Sequence, residues 1–212
     1  MSFPGSVARR SPNHYMRLRL FIDFWNFSLN WNDRAETNCD WTLLPLALRN
    51  EAERILQTAG LGSLALEETR VYASYEPGRE AKLKGWLHNF LDKQPGVRVF
   101  DVERNWKKHS THCRSCSADI VTCPLCGADL GRAAEKTIDS RIVTDLLSLA
   151  WEGGYDVALL LSSDRDFIPA VEKLQTKNFK VINATWRGHG HELAKICWAS
   201  FELDALIPKL LR

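Results

Sequence analysis

A chain of 212 residues and 24.2 kDa, 45% of it hydrophobic, suits one ordinary domain with a real core and room for a small insert. Its 28 Lys and Arg against 26 Asp and Glu leave a net charge of only +2, which excludes nucleic-acid binding by bulk charge and requires a local patch for any such contact. No apolar run approaches the length of a membrane span, and the opening MSFPGSVARRSPNHY has arginines but no apolar core, so residues 1–15 read as a flexible basic tail, not a secretory signal, and a cytoplasmic location follows by default.

In chain order, residues 18–22 (LRLFI) form a first predicted strand that ends at Asp23. The next stretch, FWNFSLNWNDRAETNCDW, reads as a loop rich in aromatics and asparagines. Pro45 opens a helix to about Thr58, with Leu46, Leu48, Ala52, Ile55 and Leu56 as its apolar stripe and Gly60 and Gly62 beyond its end. Residues 69–75 are a second strand, broken by Glu76-Pro77-Gly78. A helix over about 79–92 leads through Pro95-Gly96 to a third strand, 97–102. Residues 106–134 show no helical pattern and read as an insert. A helix over 138–151 closes at Gly153-Gly154. The run 157–161 (VALLL) is a buried fourth strand that breaks into Ser162-Ser163-Asp164-Arg165-Asp166 and continues as a helix to about Lys177. Residues 179–184 are a fifth strand, and a last helix spans about 191–206. Strands alternating with helices imply an α/β fold, a mostly parallel five-stranded sheet with helices on both faces. The domain then covers 16–212, interrupted by the insert at 106–134.

Sites in such sheets lie at the carboxyl ends of strands. Asp23 follows strand one, with Asn26 three residues on; Asp164 and Asp166 follow strand four. If strands one and four are neighbours, these side chains converge. Asp139 lies in the first turn of its helix, and Asp145 sits further along at the edge of the apolar stripe, where a carboxylate needs a partner. Asp164 and Asp166 also suit helix capping, and capping does not preclude chemistry. Two like charges about 4 Å apart at an effective dielectric of 20 repel by about 4 kcal/mol, so several carboxylates in one pocket require cations or protons. Oxygen-only ligands favour Mg²⁺ or Mn²⁺, which activate water and stabilise displacement at phosphorus.

Six cysteines are unevenly placed. Cys113, Cys116, Cys123 and Cys126 form CxxC-x6-CxxC, the spacing of a tetrahedral four-thiolate zinc site of the ribbon or knuckle kind. Such a zinc folds a small insert that lacks a core of its own, and it leaves open whether the insert also grips substrate. Cys39 and Cys197 stand apart and read as inert.

Four pieces of the chain resemble the NYN domains, a branch of the PIN-like metal-dependent nucleases. LFIDFWN at 20–26 resembles the family's first strand with its Asp and Asn. KTID at 136–139, with Asp145 six positions on, resembles its Lys-x-x-Asp helix start and second helix acid. LSSDRDFIP at 161–169 resembles its strand-four signature, and residues 192–206 are similar, more weakly, to its closing helix. Phe24-Trp25 replaces the small residue usual after the first Asp, and Ser163 stands where Gly is common.

The resemblance implies a PIN-like, three-layer Rossmann-like sheet and phosphodiester hydrolysis, usually of RNA. Asp23, Asp139, Asp164 and Asp166 would then bind Mg²⁺ or Mn²⁺, Asn26 would orient the Asp23 region or the phosphate, and Asp145, Lys136 and Ser163 would support them. Trp25, Trp31, Lys107, Lys108 and Arg187 are candidates to hold RNA bases and phosphates, although the tryptophans equally suit packing beneath the long loop. The expected partner is RNA, single-stranded or with accessible loops. A membrane is not expected, and a homo-oligomer is compatible with the chain. Two alternatives stay open on sequence alone: a catalytically weak RNA-binding adaptor with the same fold, and a nuclease acting on DNA.

Overall fold

The computed structural model describes residues 15–107, 111–128, 132–134 and 137–212, with the backbone alone at 105–107, 111 and 132–134. In chain order the elements are β1 (Met16–Asp23), α1 (Phe24–Asn32), α2 (Leu44–Thr58), β2 (Leu64–Tyr75), α3 (Ala81–Asn89), β3 (Val97–Glu103), β4 (Asn105–Lys107), β5 (Thr111–His112), β6 (Asp119–Ile120), β7 (Arg132–Ala134), α4 (Ile138–Trp151), β8 (Val157–Leu161), α5 (Ile168–Gln175), β9 (Lys180–Thr185), α6 (His191–Ile196), β10 (Ala199–Glu202) and α7 (Ile207–Leu210). Six strands form the main sheet in the order β10-β9-β8-β1-β2-β3, every neighbour parallel. β1 is therefore flanked by β2 on one side and β8 on the other. The strand order reverses there, and side chains from two separate crossovers meet.

The period of two along each strand divides the core into two layers. Leu18, Leu20 and Ile22 of β1 pack with Val157, Leu159 and Leu161 of β8 on the α2 side, where Leu44, Leu48, Ala52 and Leu56 form the inward stripe of α2. Phe21, Ala158 and Leu160 face the other way, onto Ile142, Leu146 and Ala150 of α4. Among the described residues no helix is long and apolar enough to cross a membrane.

Three expectations are corrected. The sheet has six strands, because the expected last helix stops at Ile196. Cys197 is extended (φ −64°, ψ 152°), and the alternately half-buried and exposed Ala199-Ser200-Phe201-Glu202 pairs with β9. The stretch after Asp23 is no loop at its start: Phe24, Phe27 and Trp31, spaced three and four apart, are the buried stripe of α1. The second strand begins earlier, at Leu64. The insert is led in and out by the antiparallel pair β4 and β7 and carries the short pair β5 and β6. Residues 1–14 of the expected tail, and Lys108 and Lys136, lie outside the described residues; Lys107 is described in its backbone alone.

Candidate active site

Register places the first acid. Ile22 is level with Leu161 in the β1–β8 ladder, so Asp23 and Ser162 reach the carboxyl edge side by side. Phe21 and Leu160 face α4, and two residues later Asp23 and Ser162 project to that same side. Ser162 Oγ donates to Asp23 Oδ2 at 3.1 Å, and the Asn26 N–H donates to Asp23 Oδ1 at 3.1 Å. Asp23 is thus the N-cap of α1. The Asn26 side chain reaches across to β8, its Oδ1 accepting the Ser163 N–H at 3.0 Å. The Asp164 N–H donates to Ser162 Oγ at 3.2 Å, and Asp164 Oδ1 accepts the Asp166 N–H at 2.9 Å, capping the 3-10 turn over Arg165–Phe167. One buried hydroxyl therefore ties the two acidic loops together.

The electrostatics are those of a crowded acid. Burial pushes the half-buried Asp23 carboxyl up to about 6; the Asn26 and Ser162 donors pull the other way, and Asp139 and Asp164 add like-charge repulsion. Asp139 sits exposed in the first turn of α4, near enough to act on Asp23. Asp166 is exposed, and what it gives this cluster is its backbone N–H. Among the described residues, no three His, Cys, Asp or Glu side chains are grouped so that they could hold one metal ion.

A family model described as the NYN domain matches residues 17–202. The chain belongs to the NYN domain family. That places it in the PIN-like nuclease superfamily, whose NYN nucleases generally depend on divalent metal ions and act on nucleic acids. Among solved structures, a protein of unknown function, VPA0982, from Vibrio parahaemolyticus is similar at 16% identity and a TM-score of 0.56, covering 96% of this chain and 100% of its own. At that identity the likeness concerns the fold alone. No curated protein matches the chain.

In this NYN domain the remaining expected residues fall into two groups. Ser163 lies beside Asp164: its Oγ is 2.9 Å from Thr185 Oγ1, which donates to the His189 carbonyl and so fastens the loop after β9 to the candidate site. Asp145 stands lower on α4, where its Oδ2 accepts from Arg70 Nη1 at 2.8 Å and from the Tyr72 hydroxyl at 2.7 Å. It has the partner a half-buried carboxylate needs, and through it α4 is braced against β2 beneath the acids.

Trp31 is corrected outright. It is 2% exposed, packs on Phe27 and Trp186, and donates its indole N–H to the Thr37 carbonyl, so no base can stack on it. Trp25 is half-buried, donates to the Ser74 carbonyl and lies under the Arg104 guanidinium. Arg187 is exposed at the carboxyl edge, paired with Glu202 at 3.0 Å.

The two CxxC turns share one design. The Cys113 N–H donates to the Ala118 carbonyl and the Ser117 N–H to the Cys113 carbonyl; Cys123, Ala128 and Gly127 repeat both bonds. Ser117 (φ 57°) and Gly127 (φ 70°) take the left-handed conformation at matching places. Backbone N–H groups of residues 116 and 115 hold the Cys113 thiol below its usual range, and those of 126 and 125 do the same for Cys123. Cys39 and Cys197 are buried, and burial pushes both up to about 12, far from reactivity.

Two supporting residues escape sequence reasoning. Ser162, fully buried, is the shared hydroxyl. Asn183, also fully buried, donates through Nδ2 to the Leu160 and Ser162 carbonyls at 3.0 and 2.9 Å, holding the last turn of β8 from within β9. An Asn inside the otherwise apolar run VINA is the available signal.

Proposed function

We propose that the protein is a metal-dependent endoribonuclease that hydrolyses RNA phosphodiester bonds at the Asp23–Asp164 edge. The observation that carries this reading is Asp23 itself: half-buried, fixed by two donors, and facing Asp139 and Asp164, with its pKa raised to about 6. A fold retains an arrangement that repels itself when something positive completes it. The donors are carboxylate oxygens, the set Mg²⁺ or Mn²⁺ takes. Mg²⁺ keeps several waters and needs only one or two protein carboxylates, so Asp23 and Asp164 fit it without a ready-made cage of three.

Asp23 and Asp164 would hold the ion, with Asp139 and Asp166 contributing charge through water. When bound, such an ion supplies positive charge to phosphate oxygens and lowers the pKa of water. Ser162 and Asn26 keep the Asp23 carboxylate aimed at the edge. Ser163, latched to Thr185, sets the floor on which a phosphate would lie. Arg187 would contact phosphate, and Trp25 would offer the free face of its ring for stacking. In the insert, backbone amides already favour the thiolate form of Cys113 and Cys123. A structural zinc ion would have to draw the two turns onto one another, since among the described residues Cys113, Cys116, Cys123 and Cys126 are not grouped to hold one.

The test is cleavage of mixed RNA and single-stranded DNA with Mn²⁺ by the wild type and by Asp164→Asn, with RNA ends sequenced. The expected result is RNA cleavage that the variant loses while its circular dichroism is unchanged. Full activity in the variant sinks the assignment. A second reading, an RNA-binding adaptor without cleavage, is favoured by the lack of a ready three-ligand group among the described residues. It predicts RNA binding that Asp164→Asn leaves intact, and no cleavage by either protein.

A further inference from the structure

α1 has two working faces. Asn26 turns toward the acids, whereas Phe24, Phe27, Ser28 and Trp31 line a separate cavity of about 450 Å³. Its aromatic wall is continuous. Phe24 stacks on Trp41 at 5.5 Å, Trp41 meets Trp86 edge-on at 5.6 Å, and Trp86 stacks on Phe90 at 5.9 Å. Trp86 and Phe90 are half-buried, so they keep surface for a guest. Lys82 and Arg212 are exposed members of the lining, and among the described lining residues none is acidic. Arg212 shares its charge with Phe90 and Asp40. The Lys82 ammonium makes no hydrogen bond or ion pair among the described residues. The wall begins at Phe24, the residue that follows Asp23.

We propose that this cavity holds one nucleotide of the substrate strand, its base against the Trp86–Phe90 wall and its phosphate at Lys82 and Arg212. This rests on the reading of the protein as one that acts on RNA. The volume lies within the range of small-ligand sites, which are mostly apolar with a few placed polar groups. Rings stack on any base, which makes such a pocket tolerant of sequence, and Lys82, with Arg212 beside it, suits a phosphate. A nucleotide seated there fixes how far along the strand the scissile bond falls from Asp23.

The experiment titrates the full-length protein with AMP, adenosine and ribose 5-phosphate, reading tryptophan fluorescence and calorimetry, and then adds a short oligoribonucleotide. AMP is expected to quench and saturate, adenosine to bind more weakly, and ribose 5-phosphate to give no quench. Lys82→Glu, at an exposed position, should weaken AMP roughly tenfold, and Trp86→Leu by a similar factor. The oligoribonucleotide should displace AMP, and Lys82→Glu should raise KM for RNA cleavage while leaving kcat near wild type. No saturable AMP binding, or equal binding by Lys82→Glu and wild type, overturns the proposal. AMP binding that the oligoribonucleotide does not displace makes the cavity a free-nucleotide site and overturns the strand assignment. RNA cleavage lost in Asp164→Asn, together with no AMP binding, leaves the nuclease reading standing and removes only this one. AMP displaced by RNA in a protein that cleaves nothing supports the cavity and removes the nuclease reading.

Discussion

Replacing Asp23 with Asn should make the metal-free protein more stable. The Asp23 carboxyl rises from 3.8 to about 6 on folding, chiefly through burial, then through Asp139 and Asp164. About two pKa units at about 1.4 kcal/mol each means that the ionised carboxylate costs the fold about 3 kcal/mol. The sign follows from the raised pKa. Below about pH 4 the group is protonated in both states and the cost is absent; it grows as pH rises toward 6 and is complete above it. The amide of Asp23→Asn would keep the bond from the Asn26 N–H but present an N–H₂ where Ser162 Oγ now donates, a mismatch worth about 1 kcal/mol. The net gain is about 2 kcal/mol near neutral pH, a rise in Tm of roughly 4–8 °C for a domain of this size. Thermal unfolding of wild type and Asp23→Asn at about pH 7.5 and pH 4, without divalent ions, measures it. Added Mn²⁺ should then raise the wild-type Tm and leave the variant's unchanged. A variant less stable than wild type at pH 7.5, or a gain equally large at pH 4, refutes the reasoning.

Asp145→Ala should cost about 2–3 kcal/mol by denaturant unfolding, since it strips a charged partner from both Arg70 and Tyr72, yet cleavage at low temperature should stay within a few fold of wild type. Gly190→Ala should lose about 2–3 kcal/mol and at least about tenfold in kcat, because a Cβ there meets Thr185 Oγ1 at 2.6 Å and Ser163 Cα at 2.9 Å from a backbone already at φ +65°. Metal analysis of protein purified without chelators should find one zinc per chain, lost in Cys123→Ser; a zinc-free wild type removes the zinc reading of the insert.

Much of the fold is legible because burial leaves periodic traces. The VALLL run, the Ile142-Leu146-Ala150 stripe and the Pro45 helix all stand where their patterns place them. That Asp23, Asn26, Ser163 and Asp164 meet is legible because strand ends and helix caps coincide there. The misses have physical causes. α1 spells its stripe in aromatics and pads it with asparagines, residues of low helix propensity, so composition hides a spacing that is present. β10 spans only four residues, and nothing local separates it from the helix before it. Trp31 reads as a candidate for RNA because a tryptophan's chemistry is visible in sequence while its burial depends on Trp186, far along the chain. The Ser162 hydroxyl acts across the β1–β8 register and Asn183 across the β8–β9 register, which no single stretch contains.

The Ser162–Asp23 hydrogen bond joins residues 139 positions apart, and the parallel pairing of β1 with β8 is equally distant. Contacts of such long range form late, after the loops between them have closed. During synthesis Asp23 leaves the ribosome long before the strand that completes its surroundings. A chain still tethered to the ribosome therefore carries one wall of the candidate site without the other, and the site is complete only with release of nearly the whole domain.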